Sequence, residues 1–273
     1  MRIAISQLSI AYEDKLRNIE KANQAIEFAR KQKAELIVFP EMSFTGFSMK
    51  LEQIGETDES TVQQMQCLSN EHQIYIGFGW VKLIELNNER KGENHYTIVS
   101  PEGKVILDYV KCHPFSYSGE NVHFVGGENV RFCKISDFII SVNICYDLRF
   151  PEIFQAESKM ADLIIVPANW PKVRREHWST LLRARSIENQ SYMIGVNCIG
   201  ESGGVEYSGD SVVIDAAGNV LLSLIKEEIG VIDIENDVNI VRNRFPMKRD
   251  RREKLYNKLY SQVESMSINM EED

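Results

Sequence analysis

The sequence is poor in the features that mark several common protein classes. Its 273 residues include only five cysteines, Cys67, Cys112, Cys133, Cys145 and Cys198. Their number is odd and no two stand in a C-x-x-C spacing, which argues against a zinc site and against a disulfide framework. No apolar run approaches the ~20 residues of a membrane-spanning helix. The opening Met1–Leu8 stretch is short and interrupted, and no small-residue cleavage site follows it. It reads as a first β-strand and not as a signal peptide. Basic charge is in deficit too: 31 Lys and Arg against 40 Asp and Glu leave a net charge of −9. Phosphate backbones and anionic membrane surfaces are therefore poor partners, so neither nucleic acid nor membrane binding is expected. The acidity is spread out, except at Glu271-Glu272-Asp273. There is no repeat, low-complexity tract or flexible linker. A cytoplasmic location, where thiols stay reduced, is expected.

What is present suits a folded enzyme-sized domain. Hydrophobic residues make up 43% and charged residues 26%, enough for a sizeable core with an ordinary charged surface. Alternation predicts a strand over Arg2–Ile10. Helical spacing of Leu16, Ile19, Ala22, Ala25, Ile26 and Ala29 predicts a helix over Asp14–Lys31. Leu36–Phe39 reads as a buried strand ended by Pro40. A helix over Glu59–Glu71 and a strand over Ile74–Leu83 follow. Pro101-Glu102-Gly103 and Ser136-Asp137 are turn chemistry between apolar runs and predict two hairpins, Tyr96–Val110 and Arg131–Ile144. A helix over Ile153–Met160 precedes a strand over Leu163–Val166 stopped by Pro167. Further on, a helix over His177–Gln190 precedes strands over Met193–Ile199, Ser211–Asp215, Val220–Leu224 and Gly230–Ile234. An amphipathic helix over about residues 250–266, with Leu255, Leu259 and Val263 at four-residue steps, closes the chain; core or dimer packing is its default role. Hairpins mixed with βα steps predict one α/β (α+β) domain spanning residues 1–273, with both kinds of strand pairing.

Three strand ends carry reactive groups. Leu36–Pro40 delivers Glu41, Val105–Val110 delivers Lys111, and Ile139–Ile144 delivers Cys145. Chemistry in α/β folds collects where strands leave the core. A cysteine nucleophile needs its thiolate. A carboxylate can accept the thiol proton and an ammonium can hold the resulting charge, so Glu, Lys and Cys suffice without a histidine. Taken singly, each has a plainer role: a turn cap, a solvated strand end, an inert buried thiol.

The flanking residues decide between these readings. Phe39-Pro40-Glu41-Met42, Tyr109-Val110-Lys111-Cys112-His113-Pro114-Phe115 and Ile144-Cys145-Tyr146-Asp147-Leu148-Arg149-Phe150-Pro151-Glu152 occur in that order. The chain resembles the nitrilase superfamily of carbon–nitrogen hydrolases, whose three signatures these match. Thr45-Gly46-Phe47, Ala168-Asn169-Trp170-Pro171 with Arg174 and His177-Trp178, Ala184–Gln190 and Gly209-Asp210-Ser211 are similar to the omega-amidase branch. The resemblance implies a four-layer αββα sandwich, a homodimer or larger homo-oligomer, and hydrolysis of a small amide through a covalent thioester, with no metal or other cofactor. By position it implies that Glu41 is the general base, Lys111 the oxyanion-stabilising cation and Cys145 the nucleophile. Glu120 matches the second glutamate of the family, thought to orient the lysine or the attacking water, and the N–H of Tyr146 completes the oxyanion site. Where the lysine motif usually continues His-Leu-Phe, this chain has His113-Pro114-Phe115. Proline removes a donor and fixes φ, so the Ser116–Gly119 loop is expected to differ.

For substrate binding the same resemblance points to Trp170 as a pocket wall, although a tryptophan at a helix entry also serves as a core aromatic. Arg174, with Arg175 as the alternative, is a candidate for pairing a substrate carboxylate. Phe44 and Tyr117 are further pocket candidates. Arg149 is a pocket candidate as well, although an ion pair with Glu152 or Asp147 is its expected role; His177 is expected to be structural, and Arg185 to pair with Glu188 at i, i+3. The expected substrate is the omega-amide of a 2-oxo dicarboxylate such as 2-oxoglutaramate. An N-carbamoyl compound, an aliphatic amide or a nitrile is the alternative, and a non-catalytic binding module retaining the sandwich is the rival outside enzymes.

Overall fold

A computed structural model of the chain describes residues 1–271, with side chains through residue 264. The chain divides into two compact units, Met1–Val238 and the segment from Asn239 onward. The first unit holds two six-membered runs of strands. In the first sheet, β1 (Arg2–Gln7), β2 (Leu36–Val38), β4 (Tyr75–Leu86), β5 (Glu89–Val99), β6 (Val105–Val110) and β15 (Glu228–Asp233) run in the order β15-β1-β2-β4-β5-β6, with β3 (Gly55–Glu56) beside β4. In the second, β7 (Phe132–Ile135), β8 (Phe138–Val142), β9 (Leu163–Ala168), β10 (Tyr192–Asn197), β13 (Val212–Ile214) and β14 (Val220–Ser223) run in the order β14-β13-β10-β9-β8-β7. A separate hairpin pairs β11 (Ile199–Ser202) with β12 (Val205–Ser208). Both large sheets mix the two pairings: β1-β2-β4 and β8-β9-β10 are parallel, and their flanking pairs are antiparallel.

Helices α1 (Lys15–Lys31) and α3 (Ser60–His72) cover the first sheet, and α5 (Pro151–Glu157) and α6 (Arg175–Asn189) the second; short α2 (Leu51–Ile54) and α4 (Glu120–His123) lie in connections. The sheets face each other through β1 and β10, which makes the unit a four-layer αββα sandwich. Sequence period explains the layering. Ile19, Ala22, Ala25, Ile26 and Ala29 of α1 pack with Ala4, Ile37, Ile76 and Phe78 in one core. Side chains alternate across a strand, so Ile3, Ile5, Leu36 and Val38, all fully buried, turn toward the second sheet. Asp14 caps α1 by accepting the N–H of Arg17, which satisfies one of the otherwise unpaired first-turn donors.

Some boundaries differ from the sequence reading. Strand β9 is not stopped by Pro167 but runs to Ala168, opposite Asn197. Asn143 N–H donates to Ile165 C=O, so residues 165 and 167 present their backbone groups on the β8 side. Strand β8 ends at Val142, and nothing there requires the N–H that Pro167 lacks. The β4–β5 hairpin was missed. Its turn residues Asn87 and Asn88 have φ of 54° and 63°, values suited to a two-residue hairpin turn and tolerated by asparagine. The second unit carries the rest of α7 (Val238–Arg244) and α8 (Glu253–Glu271), along which Leu259 and Val263 are exposed.

On the helix-facing side of the first sheet, His95 of β5 lies buried between two carboxylates. Its Nδ1 is 3.0 Å from Asp108 Oδ1, its Nε2 is 3.2 Å from Glu93 Oε2, and its ring lies against Trp80. Both ring nitrogens face carboxylate oxygens, an arrangement that favours the imidazolium, in which both donate. Burial works against that charge, but Asp108 and Glu93 outweigh it and raise the His95 pKa. A raised folded pKa contributes stability that is complete below the unfolded value and is lost as pH rises through the folded one. The melting temperature is therefore expected to fall as pH is raised from 6 toward 9. His95→Gln should flatten that decline in thermal denaturation; an unchanged slope would refute the assignment.

Candidate active site

Three chain segments meet at the mouth of the sandwich. Glu41 follows β2 in a tight turn, with Met42 at φ 43° and Gly46 at φ 70°. That turn lies directly on β4: a Cβ at Gly79 would stand 2.4 Å from the Met42 backbone nitrogen. Only glycine permits this approach. Lys111 follows β6, and its N–H donates to Asn94 C=O on β5. Cys145 opens a 3-10 turn, Cys145–Arg149, with φ of 48°. This left-handed conformation is strained for a non-glycine residue. It is held by Asp147, whose carboxylate accepts the N–H of Ile144 at 2.9 Å, the N–H and Nδ1 of His113 at 2.9 and 2.7 Å, and the Tyr109 hydroxyl at 2.8 Å. Asp147 thus ties the cysteine turn to the lysine loop. Beneath it, Asn143 donates to Glu157, a carboxyl whose burial pushes its pKa up to about 8.

The ammonium of Lys111 is 2.8 Å from Glu41 Oε1 and 2.9 and 3.1 Å from the two oxygens of Glu120. All three side chains are buried. Asn94 Nδ2 bridges the two carboxylates, at 2.9 Å from Glu41 and 3.2 Å from Glu120. The other Glu41 oxygen accepts the Asn169 N–H at 2.9 Å. One cation serves two acids, and the charges settle unequally. Burial opposes ionisation of Glu41, but Lys111 and the donated hydrogen bonds prevail and lower its pKa. Burial prevails at Glu120, helped by the charge of Glu41, and its pKa rises. Burial would neutralise Lys111, yet Glu120 and Glu41 hold its pKa well above the ordinary lysine value. Burial and the charge of Glu41 lift the Cys145 thiol well above its ordinary value, against Lys111, and Glu41 also hydrogen-bonds the thiol. At neutral pH the site therefore holds a thiol beside a carboxylate and an ammonium.

Above this cluster opens a pocket of about 190 Å³ whose accessible wall is almost wholly apolar. Lys111 and Cys145 line it, and so do Trp170, Arg174, Tyr117 and Tyr146. Tyr146 is the second residue of the cysteine turn, where backbone donors have no helical partner. Trp170 combines both anticipated roles: it is buried against Trp178 and lines the pocket. Arg174 lies over the rings of Phe115 and Tyr117 at 5.4 and 5.8 Å. Among the described residues it has no carboxylate partner. Arg175 instead pairs with Asp210 at 2.6 Å. Arg185 and Glu188 pair at 2.9 Å.

Two anticipated placements are corrected. Phe44 is not in the pocket. It packs in the helix-side core beside Phe39 and Phe78, because the turn after Glu41 reverses the chain and presents Phe47 instead, 5.5 Å beneath the Lys111 ammonium. Arg149 takes its alternative place in the pocket wall and does not pair with Asp147, whose oxygens are occupied as described. Its guanidinium lies 4.8 Å over Trp170 and 3.3 Å from His177 Nδ1. Pro114 leaves the site's donors intact, since the N–H groups on either side of it, of His113 and Phe115, are the ones used, by Asp147 and Glu120. Asn94, which bridges the two acids, and Tyr207, which lines the pocket, had no place in the sequence reading. Asn94 stands inside a strand with no motif around it. The Gly203-Gly204 pair, which turns the β11–β12 hairpin bearing Tyr207, was a legible signal.

Residues 2–243 match the model of the family described as carbon-nitrogen hydrolase. The omega-amidase YafV of Yersinia enterocolitica is 31% identical over 254 residues, covering 92% of this chain and 96% of that protein. A 2-oxoglutaramate amidase of Bacillus subtilis (strain 168) is 33% identical over 263 residues, covering 93% and 98%. Among solved structures, XC1258 from Xanthomonas campestris, a CN-hydrolase superfamily protein with an arsenic adduct in its active site, superposes with a TM-score of 0.82 at 28% identity, covering 92% of this chain and 97% of that one. With sandwich, motif order and full-length similarity in agreement, the chain belongs to the carbon–nitrogen hydrolase family.

Proposed function

We propose that the protein is an amidase that releases ammonia from the omega-amide of a 2-oxo dicarboxylate such as 2-oxoglutaramate, through a thioester on Cys145. The observation that carries this reading is the buried cluster in which one ammonium touches two carboxylates at the floor of a pocket that opens on Cys145. The named activities of the two relatives support the substrate class. Arg174, a pocket cation with no carboxylate partner among the described residues, supports it independently.

In this reading the Cys145 sulfur attacks the amide carbonyl as its proton passes to Glu41. Because the thiol pKa is raised, proton transfer accompanies attack rather than preceding it. Lys111 has three N–H bonds, and its two carboxylates leave donor capacity for the oxyanion, which the Tyr146 N–H also receives. Glu41 then gives its proton to the departing ammonia. Water adds to the thioester as Glu41 takes its proton, the carbon–sulfur bond breaks, Glu41 returns that proton to the Cys145 sulfur, and the acid leaves. Glu120 keeps Lys111 in place throughout. Two easier steps replace one difficult hydrolysis. No cofactor enters. The reading also places the enzyme in the cytoplasm, as a homodimer or larger homo-oligomer.

The test is brief exposure to 2-oxoglutaramate, an N-carbamoyl amino acid, a neutral aliphatic amide and a nitrile, with ammonia release measured beside mass spectrometry. An acyl adduct on Cys145 formed fastest from 2-oxoglutaramate is expected. In Arg174→Ala, kcat/KM for 2-oxoglutaramate should fall about 10- to 100-fold, in keeping with loss of a charged hydrogen bond, and that for the neutral amide far less. Turnover without an adduct, or an equal loss on both amides, would refute the corresponding part.

A further inference from the structure

The β11–β12 hairpin belongs to neither large sheet, and it brings Tyr207 to the pocket wall. The ring is packed against Ile10 and Cys198, and Tyr207 bridges to Pro171, next to Trp170. The residue is only 5% exposed. A tyrosine hydroxyl buried to that extent usually has a hydrogen-bond partner, yet among the described residues this one has none. Nor is it among the sealed, partnerless polar atoms of the interior, so the little surface Tyr207 retains includes its hydroxyl, on a residue that lines the pocket. Burial first, then Cys198, Glu41 and Cys145, raise its pKa. It therefore stays a neutral hydroxyl close to the reacting groups and cannot act as their base.

We propose that the Tyr207 hydroxyl is a positioning group that touches the substrate: its oxygen accepts one N–H of the scissile amide and, after ammonia has left, one O–H of the water that takes its place. The first contact fixes the plane of the amide relative to the Cys145 sulfur. The second aims the water at the thioester while Glu41 takes its other proton. No bond to Tyr207 forms or breaks. The chemistry selected is an acyl group bearing NH₂ or OH₂ on the hairpin side, so substrates with a bulky N-substituent are disfavoured. The inference rests on the amidase reading above.

Tyr207→Phe tests it, because the phenyl ring keeps the packing on Ile10 and Cys198. In that variant kcat/KM for a primary amide is expected to fall about tenfold or more with an unchanged melting temperature, and the Cys145 thioester should accumulate in mass spectrometry. The decisive readout is partition of the acyl-enzyme between water and added hydroxylamine. Loss of the water contact should raise the hydroxamate share several-fold, whereas a merely structural role would leave the ratio where it is in the wild type. An unchanged kcat/KM together with an unchanged partition ratio would overturn the proposal. Wild-type protein that releases no ammonia from any amide would instead overturn the underlying reading, so the two failures are distinguishable.

Discussion

Cys145→Ala is expected to abolish ammonia release, by about four powers of ten or more, while the protein folds and melts as before. The two halves of this expectation have separate causes. Activity is lost because the covalent route disappears with the sulfur; Glu41 alone would have to drive water onto an unactivated amide. Stability is retained because little else changes. Residue 145 holds φ of 48° in either form, so the backbone strain is common to both. Its position is set by the hydrogen bonds that Ile144 and His113 give to Asp147, none of which uses the thiol. A buried thiol with a raised pKa is uncharged, so no ion pair is broken. Ammonia release and thermal denaturation, measured on the same preparation, check both halves. Substantial turnover in the variant would remove Cys145 from the chemistry.

Lys111→Ala is expected to reduce kcat by about 10²–10³, the usual cost of losing one preorganised oxyanion donor, and to destabilise the fold by about 3–5 kcal/mol. The second effect follows from the charge inventory. Glu41 and Glu120 are both fully buried, and Lys111 is the cation that both contact. Without it, two carboxylates bridged by the neutral Asn94 amide face each other in a dry site. The pair must then share a proton or open to water. Denaturant unfolding reads the stability loss, and the rate of thioester formation in the folded fraction reads the catalytic loss. A variant as stable as the wild type would mean that the two acids do not depend on the lysine. Glu41→Gln should also inactivate, but with a smaller loss of stability, since it removes a buried negative charge and leaves Lys111 paired with Glu120.

The amino-acid sequence by itself determined most of the elements and the identity of the reactive groups. Period-3.6 and period-2 patterns marked α1, α6 and most strands, because a surface helix or half-buried strand must bury one face. Asp14 was set at the helix start and Pro101-Glu102-Gly103 at a turn by local backbone chemistry alone. The cysteine segment around Cys145 was legible because a strained turn, its Asp147 brace and the nucleophile are contiguous. Only the tertiary structure decided what those groups meet. Residues 41, 94, 111, 120, 145 and 169 approach one another across two strand layers, and no local pattern encodes a contact whose partners lie on separate strands. For that reason Asn94, the bridge between the acids, was silent in its strand. The choice between Phe44 and Phe47 depended on two positive-φ residues reversing the chain by one turn. The freedom of Arg149 to stack on Trp170 depended on His113 and Tyr109 having already claimed Asp147. Periodicity reports which face of an element is buried; which side chain it is buried against is settled by how the layers stack.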